Sequence, residues 1–464
     1  MRICMSSILV MGCTEGKNND TMVEESHRDP AFEALAQAIE TDLQTAGNPN
    51  AVFAVFQDGE ILYVEGWGET EDGNTIDQDT RFRIGSVADS MTAATAFVID
   101  TPMNTPVVDM VSGIDLFKSP DRIQEITMQH LLEHSGGLVD SVGQGNDDSL
   151  ASFMETTFYD EMFIIAPPGR FWNASNLNYV VASYVLEQYL GVPYGEGIES
   201  SLLSPLGMSR TTFDSEDISA EGNWARGMDL GSEVPLETDN SYLAGFSWST
   251  AADLVTFGDV ILSGETEILS NEQHSALVSP QISMGLIEDK LQSGNGLIHY
   301  EGISSNAGWH DIDIIFQNGS IPGYGAAIYL LPEHNAGFIS LVGATGVQLP
   351  SAVISAIQYF GLPEAGDFPS EALALQDLSL YEGTYIDDWN VGEIHLTANV
   401  LWLEVEMPRL DEMGVIYDSK WRPYTKHNFQ TKIDGYDILL RFEMDSQGRP
   451  EFIVHRAFVG NRVE

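Results

Sequence analysis

Apolar residues recur along this chain with two different periods. Phe32, Leu35, Ile39 and Leu43 repeat at the spacing that lines one face of a helix, starting at Pro30. Ala51–Phe56, a Gln57-Asp58-Gly59 turn and Ile61–Gly66 then predict a β-hairpin. Further helices are predicted near 86–100, 126–133, 176–190 and 250–263, and strands return at 312–316, 326–331 and 338–342. Helices enclosed by strands at both ends predict one domain over 30–360. Its antiparallel sheet would be built from the two ends of that segment, with a helical subdomain containing 126–263. A Pro/Gly-rich run, GLPEAGDFPS from residue 361, opens a linker taken as 361–374. Residues 375–464 read as strands, among them 400–405, 436–442 and 451–459, with a turn at Asp445-Ser446-Gln447-Gly448. This tail is expected to be a small all-β barrel or sandwich.

Charge narrows the function classes. Seventy acidic against twenty basic residues give a net charge of −50. Such a surface repels the phosphates of nucleic acids and anionic lipids, so no nucleic-acid partner is expected. The two cysteines, Cys4 and Cys13, both precede residue 15, so the folded part has no disulfide and no cysteine-based zinc site. Arg2, a short apolar run and Leu9-Val10-Met11-Gly12-Cys13 read as a secretion signal over 1–13 ending in a lipobox-like motif, followed by a polar tether over 14–29. The expectation is an exported protein held to a membrane only through lipid on Cys13.

Five segments carry a resemblance, in order and in register. Phe82-Arg83-Ile84-Gly85-Ser86 leads into a helix, and Ile126–Leu138 reads ITMQHLLEHSGGL. Pro205-Leu206-Gly207-Met208 precedes Thr211-Thr212-Phe213, Ala244–Leu254 reads AGFSWSTAADL, and Ser320-Ile321-Pro322-Gly323-Tyr324 opens a late strand. Together with Tyr381-Glu382-Gly383-Thr384-Tyr385, which resembles the start of a small β domain found in many relatives, these segments resemble the serine β-lactamase and penicillin-binding-protein superfamily, in its class C-like branch. The resemblance implies a β-lactamase/transpeptidase-like α/β (α+β) fold and attack on a carbonyl by a serine at a helix N-terminus.

That chemistry uses a Lys three residues after the serine, a Tyr in a Y-[SA]-N element and a cationic or protonatable residue in a K-[TS]-G or H-x-G strand. By resemblance, Ser86 holds the nucleophile position, Asp89 the Lys position, Ala174 the Tyr position and Gln317 the cation position, while Arg83 and Asn176 keep family residues. The same resemblance places an oxyanion hole at the amides of Ser86 and Ser320, beside Gly319. A serine hydroxyl needs a base to become a nucleophile. A carboxylate at position 89 only accepts hydrogen bonds and disfavours negative charge on the serine oxygen. In the first turn of a helix, however, it complements the dipole.

Other patterns have plainer accounts. His130-Leu131-Leu132-Glu133-His134 fits an inverted zinc-protease motif but coincides with the family's HLLTHTSGL segment. His310-Asp311-Ile312-Asp313 alternates as a strand does, and Asp72–Asp79 lacks the glycine of a calcium loop. No metal or other cofactor is implied. Asn176 suits either a donor to a ligand amide or a helix cap. Two function classes follow. One is a catalytically impaired or inactive relative that binds an ester or amide ligand, or a protein partner. The other is an active serine esterase or amidase using Ser86 with a non-standard base.

Overall fold

The computed structural model describes residues 29–140, 149–213, 215–236, 247–264, 266–285, 290–305, 307–369, 377–456 and 458–463. Cys13, the tether up to residue 28, Ala244–Phe246 and the end of the linker lie outside the described residues. The chain forms two compact units. One takes the chain to Asp100, then Val192–Ser279 and Gly296–Phe368; the other takes Thr101–Gly191, Pro280–Asn295 and the chain from Pro369 onward.

The first unit is built on an antiparallel sheet. Its strands are β1 (Ala51–Gln57), β2 (Glu60–Trp67), β3 (Ile298–Ser305), β4 (Gly308–Ile321), β5 (Tyr324–Leu331) and β6 (Ala336–Val342), in the order β2-β1-β6-β5-β4-β3. Strand β6 pairs with β1 from Ala51↔Val342 to Gln57↔Ala336, so the sheet joins the two ends of the domain as expected. Helix α1 (Glu33–Thr45) packs one face, placing Phe32, Leu35, Ile39 and Leu43 in a core with Phe53, Tyr329 and Phe338. In the same unit α2 runs over Val87–Val98, α5 over Ala251–Ser263 and α6 over Pro350–Phe360. Helix α5 covers the opposite face so closely that a Cβ on its Gly258 would lie 2.8 Å from Phe56 Cζ and 3.0 Å from Leu330 Cδ2. Both faces being covered explains why β5 and β6 are buried along their whole length instead of alternating.

The second unit contains α3 (Met128–Leu132), α4 (Asn176–Leu190) and a closed barrel. The barrel's eight strands run β7 (Gly383–Asp387), β8 (Gly392–Ala398), β9 (Leu403–Glu406), β10 (Lys420–Thr425), β11 (Asn428–Ile433), β12 (Tyr436–Met444), β13 (Pro450–His455) and β14 (Phe458–Arg462), and β7 pairs with β14 to close it. Closure leaves no free sheet edge. Alternating side chains fill the interior, where Tyr381 meets Phe429 and Phe442 in ring contacts with centroids at 5.1 and 4.7 Å.

Three expectations need correction. The helical subdomain is not 126–263, because Val192–Ser279 groups with the sheet, whose face α5 covers, whereas Thr101–Gly191 groups with the barrel. The strand expected over 451–459 is two strands that turn at Arg456. The strand expected over 400–405 begins only at Leu403, and Val400 and Leu401 stand 80% and 61% exposed in the preceding turn.

Candidate functional site

The candidate residues of the first unit are positioned by two glycines. Gly85 adopts φ 53°, a left-handed conformation that an L side chain rarely takes. It turns the chain from strand into α2, with Ser86 as the half-buried N-cap. A Cβ on Gly85 would lie 3.0 Å from both Gly319 Cα and Ser320 N, and a Cβ on Gly319 would lie 2.0 Å from Ile84 O. Only two residues without side chains allow the start of α2 and the end of β4 to come this close.

The contact brings two backbone N–H groups together. The first amides of α2 bond inward, Val87 to Ile84 O at 3.2 Å, Ala88 to Gly85 O at 3.1 Å and Asp89 to Ser86 O at 3.0 Å. The Ser86 N–H has no acceptor among the described residues. The direction of the Ser320 N–H follows from the sheet's alternation. Gly343 N donates to Asn50 O and Asp58 N to Asn335 O, so odd-numbered residues of β6 face β1 and even-numbered ones face β5. Carried through the β5 register, this makes Gln317, Gly319 and Ile321 bond to β5, while Asn318 and Ser320 point to the other edge of β4. Strand β3 pairs with that edge only as far as Phe316. Asn318 N is taken by the Gln317 side-chain oxygen at 3.0 Å, and Ser320 N is left without a backbone partner. Unpaired backbone N–H groups on two adjoining segments beside a serine hydroxyl are donors of the kind that can stabilise an oxyanion.

The groups that would move protons are different. Asp89 is 7% exposed in the first turn of α2, where its charge complements the helix N-terminus. Gln317 is buried, and its amide is spent at both ends: Nε2 donates to Gly296 O at 3.0 Å while Oε1 accepts from Asn318 N. Gly296 in turn packs on α2, since its Cβ position lies 2.7 Å from Asp89 O. Gln317 is therefore a strut between β4 and α2 and not a cation. The structure thus brings Ser86, Asp89, Gln317, Gly319 and Ser320 together in the first unit.

Ala174 and Asn176 belong to the second unit. Ala174 carries no functional group. Asn176 is not the helix cap: Ser175 caps α4 by accepting from Leu177 N at 3.2 Å. Asn176 instead donates twice to Asp140 Oδ1, from its backbone at 2.9 Å and from Nδ2 at 3.1 Å. The barrel residue Arg456 donates to Asp140 Oδ2 at 2.7 Å. The element is further held by Asn173 N on His134 O at 2.8 Å and by the Ser175 hydroxyl on Val139 O at 2.7 Å. Asp140, Arg456 and Asn173 hold or flank this element of the second unit, and the sequence did not mark them. Beside Ala174, the buried Asn173 amide has no partner among the described residues, an orphan polar group of the kind that ligands and waters satisfy.

The two motif histidines serve this scaffold. His130 Nδ1 accepts from Thr127 N in a capping box, and Glu133 accepts from Ser135 Oγ at 2.6 Å. Burial, reinforced by the Arg456 charge, pushes His134 and His455 down from 6.5 to about 4, against the opposing pull of Asp140. A depressed histidine holds the folded state neutral while the unfolded chain takes up protons near 6.5. Its contribution is therefore complete above that pH and is lost as pH falls toward about 4. Urea unfolding at pH ~7 and ~4.5 is expected to show a fall in stability that His134→Gln makes shallower. An equal slope in that variant would remove His134 from the account.

Comparisons with known proteins give the family and the fold. The profile of the β-lactamase family matches residues 35–350. An unguisins hydrolase of Aspergillus campestris is 26% identical over 332 residues, 67% of this chain and 61% of that protein, so the chain spans less than two thirds of that relative. Penicillin-binding protein 4* of Bacillus subtilis is 23% identical over 410 residues, 79% of this chain and 87% of that protein. An octameric penicillin-binding protein homologue from Pyrococcus abyssi shares the fold with a TM-score of 0.61 at 20% identity, over 92% of this chain and 98% of its own. The chain belongs to the β-lactamase family of serine hydrolases and penicillin-binding-protein homologues.

Proposed function

We propose that this family member binds the carbonyl group of an ester or amide ligand without turning it over at Ser86. The observation that carries the reading is an unpaired N–H pair at Ser86 and Ser320 beside an amide-locked Gln317, while Asp89, Ala174 and Gln317 stand at the positions where, by resemblance, the family carries its proton-handling residues. Oxyanion donors act through the backbone and survive changes of side chain. A positioned base does not, and its loss alone removes about 10²–10⁴ in rate. Ligands bearing a carboxylate fit poorly, because Gln317 offers no charge and the protein carries −50.

Steady-state hydrolysis of nitrocefin and p-nitrophenyl acetate is expected to be the same for the unaltered protein and for Ser86→Ala, with no penicilloyl adduct on Ser86. Turnover that Ser86→Ala abolishes would establish the second reading, a live esterase or amidase with another base. The same free N–H pair favours that reading, and one relative is named as a hydrolase.

Export with lipid on Cys13 is part of the proposal and rests on the Leu9–Cys13 motif. Mass spectrometry of the native protein is expected to find a lipid-modified Cys13 as the mature start, and a chain still beginning at Met1 would refute it.

A further inference from the structure

A second serine in the first unit has the partners that Ser86 lacks. Ser305 ends β3 and pairs with Gly308, the first residue of β4. The Ser305 hydroxyl lies 2.8 Å from Nε2 of His310, and His310 Nδ1 lies 2.6 Å from the carbonyl oxygen of Pro363. A carbonyl only accepts, so in a neutral imidazole Nδ1 carries the hydrogen and Nε2 presents its lone pair to Ser305. The hydroxyl therefore donates to His310. Ala307 N donates to the same oxygen at 3.1 Å, which favours negative charge on it. The base is buried, at 5% exposure, whereas Ser305 is half-buried at the end of β3. The β3–β4 register shifts between His310 and Asp313, a bulge of the kind that re-aims side chains next to reactive sites. The backbone of the 361–369 segment supplies the third member, held alongside β4 by Trp309 N on Gly366 O at 3.0 Å and Gly366 N on Trp309 O at 2.7 Å. Nucleophile, base and base-orienting acceptor in hydrogen-bonded sequence are the arrangement that activates a serine.

We propose that Ser305 is a second nucleophilic serine, activated by His310 and taking the acyl group of activated esters. Ser305 Oγ forms a bond to the acyl carbon as its proton passes to His310 Nε2. The ester C–O bond breaks, and the aryloxide leaves, recovering a proton from the imidazolium. The products are acyl-Ser305 and the free phenol. This inference is independent of the reading of Ser86.

The test uses the full chain in the Ser86→Ala background, with p-nitrophenyl acetate as probe and peptide mass spectrometry as readout. A burst of about one nitrophenolate per chain is expected, with acetyl on Ser305, lost in Ser86→Ala/Ser305→Ala and slowed at least ~100-fold in Ser86→Ala/His310→Gln. Absence of acetyl on Ser305, or acetylation just as fast in a folded His310→Gln variant, overturns the proposal. If the His310 variant does not fold, the Ser305→Ala comparison decides: an unchanged burst and adduct pattern there overturns it equally. Because Ser86 is absent throughout, no outcome depends on how Ser86 behaves.

Discussion

Asp89→Lys, Ala174→Tyr and Gln317→His introduced together are expected to raise p-nitrophenyl acetate hydrolysis by at least ~100-fold, with the whole gain abolished by Ser86→Ala. The assay belongs in a Ser305→Ala background, so that only Ser86 is read. The donors for the gain are already present, since the N–H groups of Ser86 and Ser320 stand on adjoining segments without backbone acceptors among the described residues. What is missing is a route for the serine proton. Asp89 alone changed to Lys returns a proton acceptor without a Tyr, and Ala174→Tyr alone returns a Tyr without the Lys. Catalytic groups that act as a unit are strongly non-additive, so each single change is expected to give little. Gln317→His also has to replace the amide donated to Gly296 O at 3.0 Å, and an imidazole N–H can make that bond. A triple variant that keeps its circular dichroism and melting transition yet stays silent would show that the serine's surroundings no longer admit an ester. The function would then lie on another surface.

Much of the fold was legible because its signals are local. Helix α4 runs over Asn176–Leu190 as its apolar spacing predicts, and the 51–66 hairpin forms around its Asp58-Gly59 turn. The failures are equally physical. His455-Arg456-Ala457 contains no turn former, so Glu451–Val459 reads as one strand, although the structure has two strands here, Pro450–His455 and Phe458–Arg462. Val400 and Leu401 are apolar in sequence but sit in an exposed turn, where isolated apolar side chains are ordinary. In the site, the replaced residues at 89, 174 and 317 were visible as substitutions within a motif. The Asp140–Arg456 pair was not, because its members lie 316 residues apart and neither belongs to a motif. Ser305 and His310 were obscured in the same way. The alternation of 310–313 suggests only a strand, and the acceptor that fixes the ring is a backbone carbonyl, which no sequence pattern marks.

Gly319→Ala is expected to destabilise the protein by about 3 kcal/mol, the upper end of the usual cost of overpacking, although it adds a single methyl group. In most strands this exchange is harmless or helpful, because alanine has less backbone entropy to lose than glycine. Residue 319 is not among those with positive φ, so torsional strain is not the cause. The cause is contact: the new methyl would lie 2.0 Å from Ile84 O and 2.8 Å from Gly85 Cα. Both are backbone atoms, and no rotamer change can move them away, so β4 and the start of α2 must separate. That separation also pulls apart the N–H groups of Ser86 and Ser320, and it would cancel the gain of the reconstructed triple variant. Gly414→Ala is the control. It carries φ 72° with nothing within 4 Å, so it bears only the left-handed penalty, about 1–2 kcal/mol. Urea unfolding of the two variants, read as a midpoint shift at constant slope, separates contact from torsion. If Gly319→Ala unfolds at the midpoint of the unaltered protein, the strand and the helix start can part freely, and the oxyanion pair is not preorganised by these glycines.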